Sequence, residues 1–157
     1  MIGEVCLRNI TTVCYLALSV LIWRNEIKIC INSHGGDVII GLSAYDIIQI
    51  SSFDARSICL GRASSIASLL LISGTIGKRV CASHTSIFLH YPNVEVFECI
   101  LNVTRHIFSA LLTVDKLVKV YMKHCRKTYL EVGFTLAYTL CLNSVLALGW
   151  GVLDRVL

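Results

Sequence analysis

The chain has 157 residues, enough to build the core of one domain, and 55% of them are hydrophobic against 15% charged. A net charge of +4 is mild, and no basic run interleaved with aromatics occurs, which excludes a nucleic-acid-binding class. Mean hydropathy of +0.73 is high for a soluble monomer, so apolar surface is expected to go into subunit contacts or a membrane.

Val13–Trp23 reads as an apolar helix packed on a sheet, too short for a membrane span and without a small-residue cleavage site after it. Ile27–Asn32 is a β-rich run ending at Ser33, punctuated by Gly35–Gly36. Gly41–Ile50 carries apolar residues at helical spacing. Arg56–Leu60 is a second buried strand, closed by Gly61, and Ser65–Ser73 an apolar helix. Arg79–Cys81 and Ser86–Leu89 are further strands. Asn102–His124 is the longest helical pattern, with Val103, Ile107, Leu111, Val114, Val118 and Met122 on one stripe. Val132–Leu153 holds no charge over a spanning length, but its three glycines suit a segment packed on a neighbouring subunit better than a membrane helix. Strands alternating with helices predict a single α/β domain over 1–157 with a largely parallel sheet.

Cysteines stand at 6, 14, 30, 59, 81, 99, 125 and 141, with no CxxC and no metal-ligand spacing. Set among Ile, Val and Leu, they read as buried thiols in a reducing compartment, and no metal is expected.

Three local patterns carry chemistry. In Gly61-Arg-Ala-Ser-Ser-Ile-Ala67 a serine sits at a strand-to-helix turn, where unpaired N–H groups and the helix dipole favour an anion. The ordinary task of Ser64 or Ser65 there would be to cap the helix. Ser33-His-Gly-Gly36 alone is a turn, and His90 alone a core histidine. Together they supply a nucleophile, a general base and oxyanion donors, the parts of a serine hydrolase.

These patterns resemble the Clp-type (caseinolytic) serine peptidases. The family's INSPGG is matched by Ile31-Asn-Ser-His-Gly-Gly36, and IYDTMQ by Ala44-Tyr-Asp-Ile-Ile-Gln49. GxAASMGA is matched by Gly61-Arg-Ala-Ser-Ser-Ile-Ala-Ser68, GKR by Gly77-Lys-Arg79, IHQP by Leu89-His-Tyr-Pro92, and YGLID by Trp150-Gly-Val-Leu-Asp154. The resemblance implies the ββα spiral shared with crotonase-like enzymes, with a long handle helix between rings. It implies heptameric rings stacked as a tetradecamer, an AAA+ Clp ATPase that consumes the ATP and feeds in unfolded proteins, and no cofactor on this chain. Ser65 would be the nucleophile and His90 the base, and the N–H groups of Gly36 and Ile66 would hold the oxyanion. A strand at Ile39–Gly41 and the segment after Pro92 would flank the substrate.

The departures are specific. Counting back from Asp154, the family's triad aspartate falls on Thr139, and the arginine that pairs across rings falls on Tyr138. Asp115 and Glu131 are the nearest acids along the chain. A glycine-rich segment after the histidine is replaced by Asn93–Glu98, and aromatics that line the ATPase docking pockets fall on Lys28 and Cys30. The chain begins close to the family's first core strand, so its N-terminal segment with the axial pore loop is expected to be missing. Two functions follow: a serine endopeptidase subunit, weakened by Thr139, or a catalytically impaired structural subunit of a mixed ring. An acyl-CoA-handling crotonase relative is disfavoured because Ser65 and His90 both fall on peptidase motifs. The oily, cysteine-rich sequence suits a plastid-encoded copy acting in the chloroplast stroma, with a bacterial cytoplasm as the alternative.

Overall fold

The structure, a computed structural model, describes residues 4–7, 26–91 and 100–157, with side chains over 26–91 and 107–157. The expected helix Val13–Trp23 and the replaced segment Asn93–Glu98 lie outside the described residues. In chain order the described elements are β1 Glu4–Leu7, β2 Glu26–Ser33, α1 Val38–Ile50, β3 Asp54–Ser64, α2 Ile66–Ile72, β4 Arg79–Cys81 and β5 Ser86–Leu89. They continue with α3 Ile100–Cys125, α4 Tyr129–Ala137, β6 Leu140–Asn143, α5 Ser144–Trp150 and β7 Arg155–Val156. The strands form one curled sheet in the order β1-β2-β3-β4-β7, with β5 beside the far end of β3 and β6 beyond β5. Every pairing is parallel except β5 with β6. This is the mixed α/β spiral that the resemblance implies.

Two expected boundaries are corrected. Strand β3 does not close at Gly61 but turns there and continues to Ser64. Between the pairs Ile31↔Cys59 and Ser33↔Ala63, two steps along β2 face four along β3. Gly61 takes up the excess at φ +102, and a Cβ there would lie 3.0 Å from Asn32 Oδ1. That same oxygen accepts the Arg62 N–H at 3.2 Å. The bulge re-aims the strand, so Ser57–Cys59 pair with β4 while Arg62–Ser64 pair with β5. Helix α1 starts at Val38 because Asp37 Oδ1 accepts the Ile40 N–H at 2.9 Å, a side-chain cap. Ile39–Gly41 is therefore its first turn and not a strand.

The core centres on α2, whose seven residues are all buried between the sheet, α1 and α3. Helix α3 buries Leu117, Val118, Tyr121 and Cys125, but Ile107 and Leu111, expected on the same stripe, are exposed, as are Phe108 and Leu112. The uncharged stretch Val132–Leu153 divides into α4, β6 and α5. Among the described residues no helix is long and apolar enough to cross a membrane. Cys59, Cys81 and Cys125 are buried, as expected of these thiols, while Cys30 is half-buried and Cys141 is exposed on β6. Burial pushes the thiols of Cys59 and Cys125 up to about 12.

A buried clamp holds the chain's end to the sheet. Arg79 reaches Asp154 through Nε to Oδ2 at 2.9 Å and through Nη2 to Oδ1, and its Nη1 donates to the carbonyls of His124 and Gly151. Asp154 also accepts the Gly77 N–H at 2.8 Å. Burial opposes the Asp154 carboxylate, but the hydrogen bonds and charge of Arg79 outweigh it and hold the pKa below the usual range. The GKR and YGLID resemblances thus meet in one structural joint away from the serine.

His124 lies beside this joint, 9% exposed, with Nε2 2.9 Å from Tyr45 Oη. Burial, then the charges of Lys123 and Arg79, pull its pKa down to about 4. The folded state keeps this imidazole neutral, while the unfolded chain takes up a proton below about 6.5. Stability present above pH 6.5 should therefore drain as pH falls toward 4, by about 3 kcal/mol when complete. Chemical denaturation across this window should show the decline, and His124→Gln should flatten it above pH 4.5. A slope unchanged by the substitution would place the titration elsewhere.

Candidate active site

Ser65 joins β3 to α2 with φ 55 and ψ −127, a region that non-glycine residues enter at a cost of about 1–3 kcal/mol. It stands at the N-cap position of α2 yet makes no capping bond, so the ordinary role expected of a serine there is not the one adopted. The strain is held from both sides. Its N–H donates to the Phe88 carbonyl at 3.1 Å, and its carbonyl accepts from the Ser68 N–H at 3.0 Å and Ser68 Oγ at 2.6 Å. A sharp, strained strand-to-helix turn whose serine hydroxyl makes no hydrogen bond among the described residues has the geometry of a nucleophile elbow, reached here without the G-x-S-x-G sequence. Ser64, one residue earlier, is buried.

The double-glycine turn lies directly against this serine. Gly35 sits at φ +111, and a Cβ there would come within 2.9 Å of the Ser64 carbonyl and 3.0 Å of Ser65 Cβ. Ser33 Oγ steadies the turn by accepting the Gly35 N–H at 3.2 Å. Sequence reasoning put its weight on Gly36, which is exposed beside this contact, and missed that Gly35 makes the close approach. The N–H of Ile66 opens α2 and is among those a helix leaves without an internal partner.

His90 follows the last residue of β5 and faces the same small cavity as Ser65. The cavity, about 10 Å³, is also lined by Val38, Ile66, Leu69 and Tyr121. Among the described residues no hydrogen bond joins Ser65 to His90; the bond His90 makes runs from Nδ1 to the Tyr91 carbonyl at 2.7 Å. Tyr121 supports the cavity through its hydroxyl, 2.7 Å from Ser68 Oγ, and burial pushes its phenol well above the usual range. Ser68 entered the sequence reading only as the end of the serine motif, and Tyr121 carried no sequence signal of its own.

The β5–β6 ladder ends at Leu89↔Leu140, so one further antiparallel step sets His90 opposite Thr139. Thr139 is exposed, with φ 51, an outlier for a β-branched residue. Asp and Asn enter this left-handed region far more readily. Among the described residues Thr139 Oγ1 has no bonding partner, and no carboxylate is bonded to His90. Asp115 pairs with Lys119 at 2.6 Å, Glu131 closes a capping box with Thr128, and Asp154 belongs to the Arg79 clamp. The two acids nearest along the chain are thus engaged elsewhere.

A model of the Clp protease family matches residues 7–157. The chain belongs to the Clp protease family. Membership carries a general chemistry, serine peptidase hydrolysis, and gives the strained serine, the histidine and the glycine turn of this Clp protease a common context.

In this Clp protease the Gly35 contact makes a separable test. Gly35→Ala places a methyl against the Ser64 carbonyl at a disfavoured φ and should destabilise the fold by about 1–3 kcal/mol. It should also displace Ser65, seen as slowed labelling by a serine-directed probe. Wild-type labelling and stability would show that the turn does not support the serine.

Proposed function

We propose that this Clp protease chain is the proteolytic subunit of an ATP-dependent protease, an endopeptidase that cuts unfolded polypeptides into peptides. One observation carries the reading: a serine held in a strained turn, with no cap to make, shares a cavity with a histidine. Ser65 Oγ attacks the scissile carbonyl carbon as its proton passes to His90 Nε2, and the carbonyl π pair moves to oxygen. The Gly36 and Ile66 N–H groups receive that oxyanion. Collapse breaks the C–N bond, His90 returns the proton to the leaving amine, and water repeats the sequence on the acyl-enzyme. ATP is used by the partner AAA+ ATPase.

Assembly into heptameric rings, stacked in pairs and mixed with related subunits, is supported by what the chain leaves bare. Ile107, Phe108, Leu111 and Leu112 are exposed on α3, and Phe134 and Tyr138 stack with centroids 6.3 Å apart on α4 and its cap. An exposed tyrosine where the resemblance expects a pairing arginine favours an apolar ring-to-ring contact. A chloroplast stroma, or else a bacterial cytoplasm, is the compartment we assign, in keeping with the buried thiols.

A second reading, a catalytically impaired structural subunit, is favoured by Thr139 and by the lack of a carboxylate on His90 among the described residues. Both readings are tested on the purified assembly with a fluorophosphonate probe and a peptide substrate. Labelling of Ser65 and not Ser64, with turnover lost in Ser65→Ala, is the expected result. An intact assembly with neither labelling nor turnover would favour the structural subunit. Sizing of the same preparation should show a multi-subunit particle, and a stable monomer at micromolar concentration would refute the assembly.

A further inference from the structure

We propose that the main-chain carbonyl of Tyr91 performs one half of the missing acid's work: it fixes the tautomer of His90. The inference rests on the reading of Ser65 and His90 as nucleophile and base. A triad acid does two things. It holds the imidazole proton on Nδ1, so that Nε2 is free to accept from the serine, and its charge stabilises the imidazolium that then forms. Thr139 carries no charge and makes no bond to the ring among the described residues.

His90 Nδ1 lies 2.7 Å from the Tyr91 carbonyl oxygen. A carbonyl only accepts, so Nδ1 must be the donor and carry the proton. Neutral His90 therefore has its lone pair on Nε2, the form a general base needs. The carbonyl is itself anchored. The Tyr91 N–H donates to the Leu136 carbonyl at 3.1 Å and the Tyr91 hydroxyl to the Gly133 carbonyl at 3.3 Å, so the residue is tied twice to α4. Tyr91 is thus a positioning residue that acts through His90.

The magnitudes follow. Where the acid is neutralised but geometry kept, the wrong tautomer accounts for a loss of about 10⁴ in kcat in the trypsin-type triad. Here the tautomer is right and only the charge is absent. A charge-assisted hydrogen bond is roughly twice as strong as a neutral one, so the remaining deficit is about tenfold. During attack the Ser65 proton moves to Nε2 while the Nδ1 proton stays on the ring, donated throughout to Tyr91.

The test is nitrogen-15 spectroscopy of histidine-labelled, assembled protein, with His90→Gln assigning the signal. The expected result is neutral His90 protonated at Nδ1 and bare at Nε2; an Nε2-protonated ring overturns the proposal. Peptide turnover gives a second arm. Thr139→Asp supplies the charge on a backbone that suits aspartate, and a gain near tenfold supports the proposal. A gain of 10³-fold or more means the wild-type ring was in the wrong tautomer and overturns it. Tyr91→Phe removes the hydroxyl tether to the Gly133 carbonyl and should lower kcat several-fold with KM unchanged and the Nδ1-protonated fraction reduced; an unmoved fraction and kcat count against the anchoring. The tautomer measurement needs no turnover. An Nδ1-protonated His90 beside an unlabelled Ser65 would uphold this inference while removing the nucleophile assignment it serves.

Discussion

Strand β3 must hydrogen-bond to three neighbours, and the bulge at Gly61 against Asn32 is what allows it. A straight strand would stay beside β4 and never reach β5. By turning, β3 brings Arg62–Ser64 alongside Ser86–Phe88, and the next bond in that ladder is from the Ser65 N–H to the Phe88 carbonyl. Two residues beyond Phe88 stands His90. Ser65 and His90, the proposed nucleophile and base, line one cavity because one irregularity, made possible by a glycine at positive φ, redirects the strand that carries the first toward the strand that carries the second. Everything packed behind, from the buried α2 to the second half of α3, holds that turn in place.

The site that results separates two contributions that a triad acid usually merges. Orientation of an imidazole needs only an acceptor in the right place, and main chain can provide one. Stabilisation of a positive ring needs a negative charge, which main chain cannot provide. On the proposed reading the Tyr91 carbonyl supplies the first, and among the described residues no carboxylate is bonded to His90 to supply the second. The chain's described carboxylates with partners include three that serve the fold: Asp37 caps α1, Glu131 caps α4, and Asp154 neutralises a buried arginine.

Much of this was legible from residues. Buried parallel strands appear as short apolar runs, so β2, β4 and β5 fall where Ile27–Asn32, Arg79–Cys81 and Ser86–Leu89 were expected. Ser65 and His90 were visible as chemistry-bearing types at turn and strand, and counting from Asp154 to Thr139 lands opposite His90 in the ladder. What was not legible depends on partners distant in sequence. Gly61 looks like a stop, and only the pairing with Asn32 makes it a bend. Ile107 and Leu111 share a stripe with Val118, yet the pattern cannot say where along α3 the body ends. The Tyr91 carbonyl is a main-chain group, which no side-chain motif can announce.

Two residues of the site, Ser65 and Thr139, sit in backbone regions that penalise their side chains, one on each side of His90. This sets a direction for any selection that rewards folding alone. At position 65, where ψ is −127, glycine would relax the chain, and at position 139 glycine, asparagine or aspartate would, so a screen for heat resistance should drift toward them. At position 65 that drift removes the hydroxyl that the proposed mechanism uses as nucleophile. At position 139 the drift runs toward small polar residues, of which aspartate is one, and aspartate there would supply the carboxylate that the proposed mechanism lacks. A variant library sorted only for heat resistance should therefore lose the hydroxyl at position 65 while admitting aspartate at position 139.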